Sequence, residues 1–429
     1  MSMLLRLRSL RARALTVAVL SVAVCSLLAS CSGGQPKAEV NAVSPEDAVE
    51  KSDITSAARA WAEAMTDSMS LRERVGQLFM PAVYARSDSY SMRKVCEYAS
   101  GMHVGGLILL RGDLRSTAAI ADTLASISSR EGHGSGMFVA LDAETGLGMR
   151  LEDAPVFPWN SRLDPQVDER TLFDYGREVA RECRLAGINM VLGPVLDVDR
   201  SSPGRRRSSM WLRSLGGDPH RVAELSVAYA HGLESGGVVS VAKHFPGHGS
   251  TSTDTHKRMA SITTSGEELW SKDLYPFRRY VESGLSGVIV GHLWVEAVDS
   301  VSRPASFSPA VISGLLRGRL GFDGLVLTDA LNMEGALGYT ATDAIEAGAD
   351  IILAPADTRR EIENVMSAIS LGRLSEETVT ARCRRILFYK YLFGIPSGIR
   401  GGRGLSEPAL RTEVREGSGR LLEQLEGSR

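Results

Sequence analysis

Eight short apolar runs, separated by stretches of helical periodicity, constrain this chain more than any other feature. They cover residues 75–83, 105–110, 137–142, 189–198, 238–244, 287–292, 324–329 and 350–354. Each is short for a helix and predominantly apolar, the pattern of a buried strand. The amphipathic stretches at 117–129, 170–186, 219–235, 266–283, 308–320 and 358–371 are each long enough to cross back over a sheet. This alternation predicts an α/β fold of the (β/α)8 TIM-barrel kind rather than a doubly wound sheet. A single catalytic domain is expected over residues 58–395. Ser308-Pro309 should cap one crossover helix and Gly321 should end it. The pattern at 374–392 predicts a final bracing helix. Residues 396–429 form a tail of unassigned role, in which 407–425 reads as a surface helix.

The first thirty residues stand apart. Arg6, Arg8, Arg11 and Arg13 precede an apolar run at 14–29, too short for a usual membrane span and typical of an export signal. The run closes on Leu28-Ala29-Ser30-Cys31, similar to a bacterial lipoprotein cleavage box. The expectation is a signal peptide at 1–30, a lipid on Cys31 as membrane anchor, and a flexible tether at 31–57. An exported lipoprotein on the periplasmic face or cell surface would follow. Once Cys25 leaves and Cys31 is acylated, Cys96, Cys183 and Cys383 remain, far apart and odd in number. They give no disulfide framework or zinc spacing and read as packing thiols. With a net charge of −2, the chain offers no electrostatic reason to bind nucleic acid. No obligatory protein partner is evident.

Titratable residues gather where the apolar runs end: Asp142 and Glu144, Asp197 and Asp199, Lys243 and His244, His292, and Asp329. A single Asp after a strand is often only a turn former or helix cap. A set of them at the carboxyl ends of strands is how a barrel presents an active site. Asp329 stands where a carboxylate could attack an anomeric carbon. Asp254-Thr255-His256 offers a histidine beside a carboxylate, a fit for acid/base work, although a surface turn reads the same way.

The segment Lys243-His244-Phe245-Pro246-Gly247-His248-Gly249 with Asp254-Thr255-His256 resembles the signature of the β-N-acetylglucosaminidases of glycoside hydrolase family 3. Other family features occur in order: Met69-Ser70-Leu71 to Gly76-Gln77-Leu78-Phe79, Leu141-Asp142-Ala143-Glu144-Thr145-Gly146 with Arg150, and Gly193-Pro194-Val195-Leu196-Asp197-Val198. Arg213-Ser214-Leu215-Gly216-Gly217-Asp218-Pro219 follows, then Pro304-Ala305-Ser306-Phe307-Ser308 and Gly321-Phe322-Asp323-Gly324 through Asp329. The resemblance spans about residues 68 to 355. It implies a retaining exo-hydrolase releasing terminal β-linked N-acetylglucosamine from an oligosaccharide or muropeptide. Asp329 would be the nucleophile, His256 the acid/base and Asp254 its partner. Asp142, Arg150, Arg213, Lys243 and His244 would hold the sugar hydroxyls, and no cofactor or metal is required. A histidine acid/base does not repel anions, so phosphate is a conceivable acceptor.

Two positions depart from the family pattern. Ala330 stands where a second aspartate is common, and Glu144-Thr145-Gly146 replaces Glu-Gly-Gly. Arg205-Arg206-Arg207 could meet an acidic group on a peptidoglycan fragment, the plainer reading being a solvated loop. Two further alternatives are a β-glucosidase-type member of the family, disfavoured by the His256 segment, and a catalytically silent glycan-binding lipoprotein.

Overall fold

A computed structural model describes residues 45–130, 134–201, 208–251, 259–397 and 406–427. The chain divides into two units, 1–51 and 52–429, and the strands of the described residues all lie in the second. They are β1 (Phe79–Met80), β2 (Ala82–Ala85), β3 (Gly106–Gly112), β4 (Phe138–Leu141), β5 (Met190–Val191), β6 (Val239–Phe245), β7 (Ala260–Ile262), β8 (Gly287–Val290), β9 (Leu293–Val295), β10 (Leu325–Thr328) and β11 (Ile352–Leu353). Seven of them pair in the order β10-β8-β6-β5-β4-β3-β2, and β1 pairs with β11, all in parallel. A parallel bridge from Leu327 to Ile351 joins β10 to the start of β11. Only Pro81 separates β1 from β2, and it lacks the N–H a continuous strand would use; its carbonyl still accepts from the Ile108 N–H at 3.0 Å. The result is a curled parallel sheet with helices outside it, an α/β fold of TIM-barrel-like form. β7 and β9 form a separate parallel pair beyond the sheet.

The local chemistry explains these elements. β4, β6, β8 and β10 are buried at every position, so the runs read as largely apolar, with Ser240, Lys243 and His244 the polar members of β6. The helix Glu169–Ala186 buries Leu172, Tyr175, Val179 and Cys183 on one stripe and is capped by Asp168, which accepts from the Thr171 N–H. Ser308 Oγ accepts from the Val311 N–H at the head of the helix Ala310–Arg319, and Gly321 follows it with a φ of 73°.

Several boundaries differ from the sequence reading. The run at 75–83 begins inside a helix, Leu71–Gln77, because Ser70 and Glu73 form a capping box that extends helix up to Gln77. Residues 45–57, expected within the tether, belong to the helix Pro45–Ser68. Only Met190 and Val191 of the 189–198 run are strand; beyond them Val195 makes an isolated bridge to Lys243. The tail forms two helices, Glu407–Arg415 and Ser418–Glu426, in place of one. Cys183 and Cys383 are buried as packing thiols, but Cys96 is exposed, since it ends the helix Ser89–Cys96 off its buried stripe of Ser91 and Val95. No helix of the described residues is long and apolar enough to cross a membrane. The signal at 1–30 and Cys31 lie outside the described residues.

Candidate active site

The carboxyl ends of β4, β6 and β10 converge on a cavity of about 380 Å³ lined by Asp142, Glu144, Arg150, Arg213, Lys243, His244, His248 and Asp329. Strand pitch explains the convergence. Each parallel strand ends at the same face, so the residue following each apolar run is carried to one rim.

Lys243, the fifth residue of β6, is the electrostatic centre. Its ammonium lies 2.8 Å from Asp142 Oδ1 and 2.7 Å from Glu144 Oε1. Arg150 Nη2 donates to the other oxygen of Asp142 at 2.5 Å. Arg213 grips Glu144 in a two-pronged fork, Nε to Oε2 at 2.9 Å and Nη2 to Oε1 at 2.6 Å. Burial pushes the Asp142 and Glu144 carboxyls up, but these cations outweigh it and hold both below the ordinary carboxylate range. Burial would lower the Lys243 ammonium, and Asp142 with Glu144 raises it above its usual value. The network is therefore fully ionised at neutral pH. It presents an ordered set of donors and acceptors suited to sugar hydroxyls.

A second network fixes the histidines. His244 Nδ1 meets Asp197 Oδ2 at 2.7 Å, and Arg213 Nη2 lies 3.2 Å from His244 Nε2. Asp197 is held ionised and its oxygens can only accept, so Nδ1 donates to it and the ring is fixed in orientation. Asp197 Oδ1 also accepts the His248 N–H at 2.6 Å, which ties the turn after β6 to the segment after β5. Burial pushes His248 down to about 4, so its ring is neutral at physiological pH.

Asp329 directly follows β10. Its N–H donates to the Val290 carbonyl at 2.9 Å, and its Oδ1 accepts the Ala330 N–H at 2.9 Å. Burial raises its carboxyl, but the rings of His244 and His292, the Ala330 N–H and Lys243 bring it below the usual range. It is an ionised carboxylate poised at the cavity wall. Behind it, His292 Nε2 donates to the Ala330 carbonyl at 3.1 Å while Nδ1 faces the Ser306 hydroxyl at 2.6 Å. The His292 ring stacks on Phe307 with a 2° interplanar angle, which fixes the turn that carries the carboxylate.

Six expected site residues thus line one cavity: Asp142, Arg150, Arg213, Lys243, His244 and Asp329. Asp254 and His256 lie outside the described residues, as do Arg205, Arg206 and Arg207. Sequence reading left Glu144 and His292 without roles and gave none to Asp197 or His248. Their place on the strand ends and in the His-Phe-Pro-Gly-His motif was the available signal; their partners, as distant in the chain as Lys243 is from Glu144, were not. Asp199 organises its own loop, accepting the Ser201 N–H at 3.0 Å and hydroxyl at 2.6 Å. Among the described residues no group of three or more His, Cys, Asp or Glu is placed to hold a metal ion.

Comparison with known proteins agrees with this geometry. Residues 70–388 match the model of the glycosyl hydrolase family 3 N-terminal domain. A β-hexosaminidase of Nitrosomonas eutropha is 33% identical over 262 residues, covering 58% of this chain and 73% of that protein. A family 3 β-N-acetylglucosaminidase from Paenibacillus aligns with a TM-score of 0.67 at 28% identity, over 82% of this chain and 69% of its own. A β-N-acetylhexosaminidase from Beutenbergia cavernae aligns with a TM-score of 0.64 at 28% identity, over 75% of this chain and 98% of its own. With the family model covering most of its length and the strand-end residues meeting at one cavity, the chain belongs to glycoside hydrolase family 3.

Proposed function

We propose that this glycoside hydrolase is a retaining exo-β-N-acetylglucosaminidase, with Asp329 as nucleophile. The observation that carries the reading is an ionised, backbone-anchored carboxylate facing a preformed set of sugar-binding cations and carboxylates across one cavity. In the first step an Asp329 oxygen attacks the anomeric carbon as the bond to the leaving oxygen breaks, and His256 gives that oxygen its proton. In the second, His256 takes a proton from water, which attacks the same carbon and releases Asp329. Asp254 would orient the His256 ring and stabilise its charged form. Asp142, Arg150, Arg213, Lys243 and His244 would hold the ring hydroxyls, with Lys243 bridging to Asp142 and Glu144 so that the site is preorganised before substrate arrives.

The same reading takes the curled sheet as a complete (β/α)8 barrel acting as one catalytic domain. It takes the N-terminus as an export signal with lipid on Cys31, and terminal β-linked N-acetylglucosamine on cell-wall fragments as the substrate. Rates on a chromogenic β-N-acetylglucosaminide and on the matching β-glucoside, with protein starting at residue 32, test the substrate. The expected outcome is turnover of the first alone, reduced by roughly 10³-fold or more in Asp329→Ala. Preference for the glucoside would reassign the substrate, and an active Asp329→Ala enzyme would remove the nucleophile.

A further inference from the structure

The C-terminal helices are built into the fold. Glu407–Arg415 and Ser418–Glu426 pack on the helix Glu169–Ala186 and bury Leu410, Val414, Leu421 and Leu425. Arg181 donates to the carbonyls of Glu413 at 2.8 Å and Val414 at 3.1 Å, capping the end of the first tail helix. Ser418 donates its hydroxyl to Glu182 Oε1 at 2.9 Å.

Two ties then run from these helices to the segments that carry the site's arginines. On one side, Arg411 Nε donates to Asp153 Oδ2 at 2.9 Å, and Arg415 Nη2 lies 3.3 Å from the Asp153 carbonyl. Asp153 stands three residues after Arg150. Its other oxygen accepts the Leu114 N–H at 2.9 Å, so one carboxylate joins the tail to the start of the helix Leu114–Arg130. The backbone between is stitched to β3 by Gly112, which donates to the Arg150 carbonyl at 3.2 Å and accepts from the Glu152 N–H at 3.0 Å. On the other side, the Leu425 carbonyl accepts the Asp164 N–H at 2.9 Å. Four residues earlier, Asn160 Nδ2 donates to the carbonyl of Arg213 at 2.7 Å, and Ser161 N–H to that of Leu212 at 3.3 Å.

We propose that the C-terminal helices act as a clamp that positions Arg150 and Arg213 at the sugar site, with Arg411 and Asp153 as positioning residues. This rests on the reading of those arginines as sugar-binding groups. The magnitudes favour a role in the site over one in stability. The Arg411–Asp153 pair is partly exposed, and such pairs contribute about 0–1 kcal/mol. Its loss should leave the fold standing while loosening the 150–153 segment.

The test uses the full folded domain with Arg411→Ala and Arg411→Lys. Two readouts are taken: steady-state kinetics on whichever glycoside the wild type turns over, and hydrogen–deuterium exchange of peptides covering 147–157. For Arg411→Ala the expected result is KM raised by roughly 5-fold or more with kcat changed less than about 2-fold, the mark of lost ground-state and transition-state binding alike. Exchange in 147–157 should quicken while the melting temperature stays near the wild-type value, and Arg411→Lys should recover much of the KM. Unchanged exchange and KM would overturn the clamp, as would a drop in kcat that merely follows a fall in melting temperature. Exchange reads the clamp without substrate, so a wrong substrate assignment would leave that readout intact and the two failures distinguishable.

Discussion

Glu144 has a buried side chain and two cationic partners, Arg213 at 21% and Lys243 at 5% side-chain exposure. Glu144→Gln would keep the shape and remove the charge, leaving Arg150, Arg213 and Lys243 with Asp142 as the remaining carboxylate of the network. Removing one partner of a buried pair typically costs 3–5 kcal/mol. Because Arg213 reaches water, a loss of about 3 kcal/mol is expected, read as a lower urea midpoint with unchanged slope. A weakened KM should accompany it, since Arg213 would no longer be held in its fork. An unchanged midpoint would mean that solvent already screens the pair. At this scale the sequence was partly legible. Asp142, Lys243 and Asp329 could be placed because each ends an apolar run, so strand pitch alone carries it to the cavity. Arg150 and Arg213 sit on irregular segments and were found through the family resemblance. Asp197 and His248 escaped because their task is to hold neighbouring groups in place, and a pairing such as His244 with Asp197 joins β6 to the segment after β5.

At the scale of elements, the two ends of the sheet carry charge for different purposes. Asp350 precedes β11, at the end of the sheet away from the cavity, and is fully buried. Its Oδ2 accepts from Arg317 Nη2 at 2.6 Å and from the Val326 N–H at 2.9 Å, and its Oδ1 from Arg385 Nη1 at 2.7 Å. Arg317 also donates to the carbonyls of Phe322 and Gly324, so this cluster pins the entry to β10 and the helix Glu376–Leu392 to β11. Conserving volume but not charge, Asp350→Asn should lose about 3 kcal/mol of stability or more. Its kcat/KM, measured well below the melting temperature, should remain at the wild-type level, because polar groups at the amino ends of barrel strands serve stability. A fall in kcat/KM at full folding would show that the two ends are coupled. The strands at this end were legible from burial on both faces. The break at Pro81, the helix that consumes Val75 to Gln77 and the division of the tail near Gly417 were less so, because capping and proline effects override an apolar pattern locally.

Across the whole molecule, one buried carboxyl links the tail to pH. Glu182 lies under Ser418 between the helix Glu169–Ala186 and the last helix, and its Oε2 has no hydrogen-bond partner among the described residues. Burial pushes it up to about 8 from an ordinary 4.5, with Glu178 adding to the rise and Ser418 and Arg181 opposing it. The folded protein therefore holds this proton at neutral pH, while the unfolded chain releases it near 4.5. Stability from this group is fully present below the unfolded value and is lost as pH rises through about 8. Glu182→Gln cannot ionise, so it should lose less stability than wild type between pH 5 and 8.5, with a difference on the order of 2 kcal/mol in unfolding free energy. Parallel curves for the two proteins would show that the carboxyl is already ionised in the fold. The tail helices rest on this contact, so the same titration reaches the active site through the clamp. In wild type, KM should rise with pH above about 8 together with a loss of protection in 147–157 beyond the intrinsic acceleration of amide exchange with pH. Glu182→Gln should blunt both changes, and their persistence in that variant would assign them to another group.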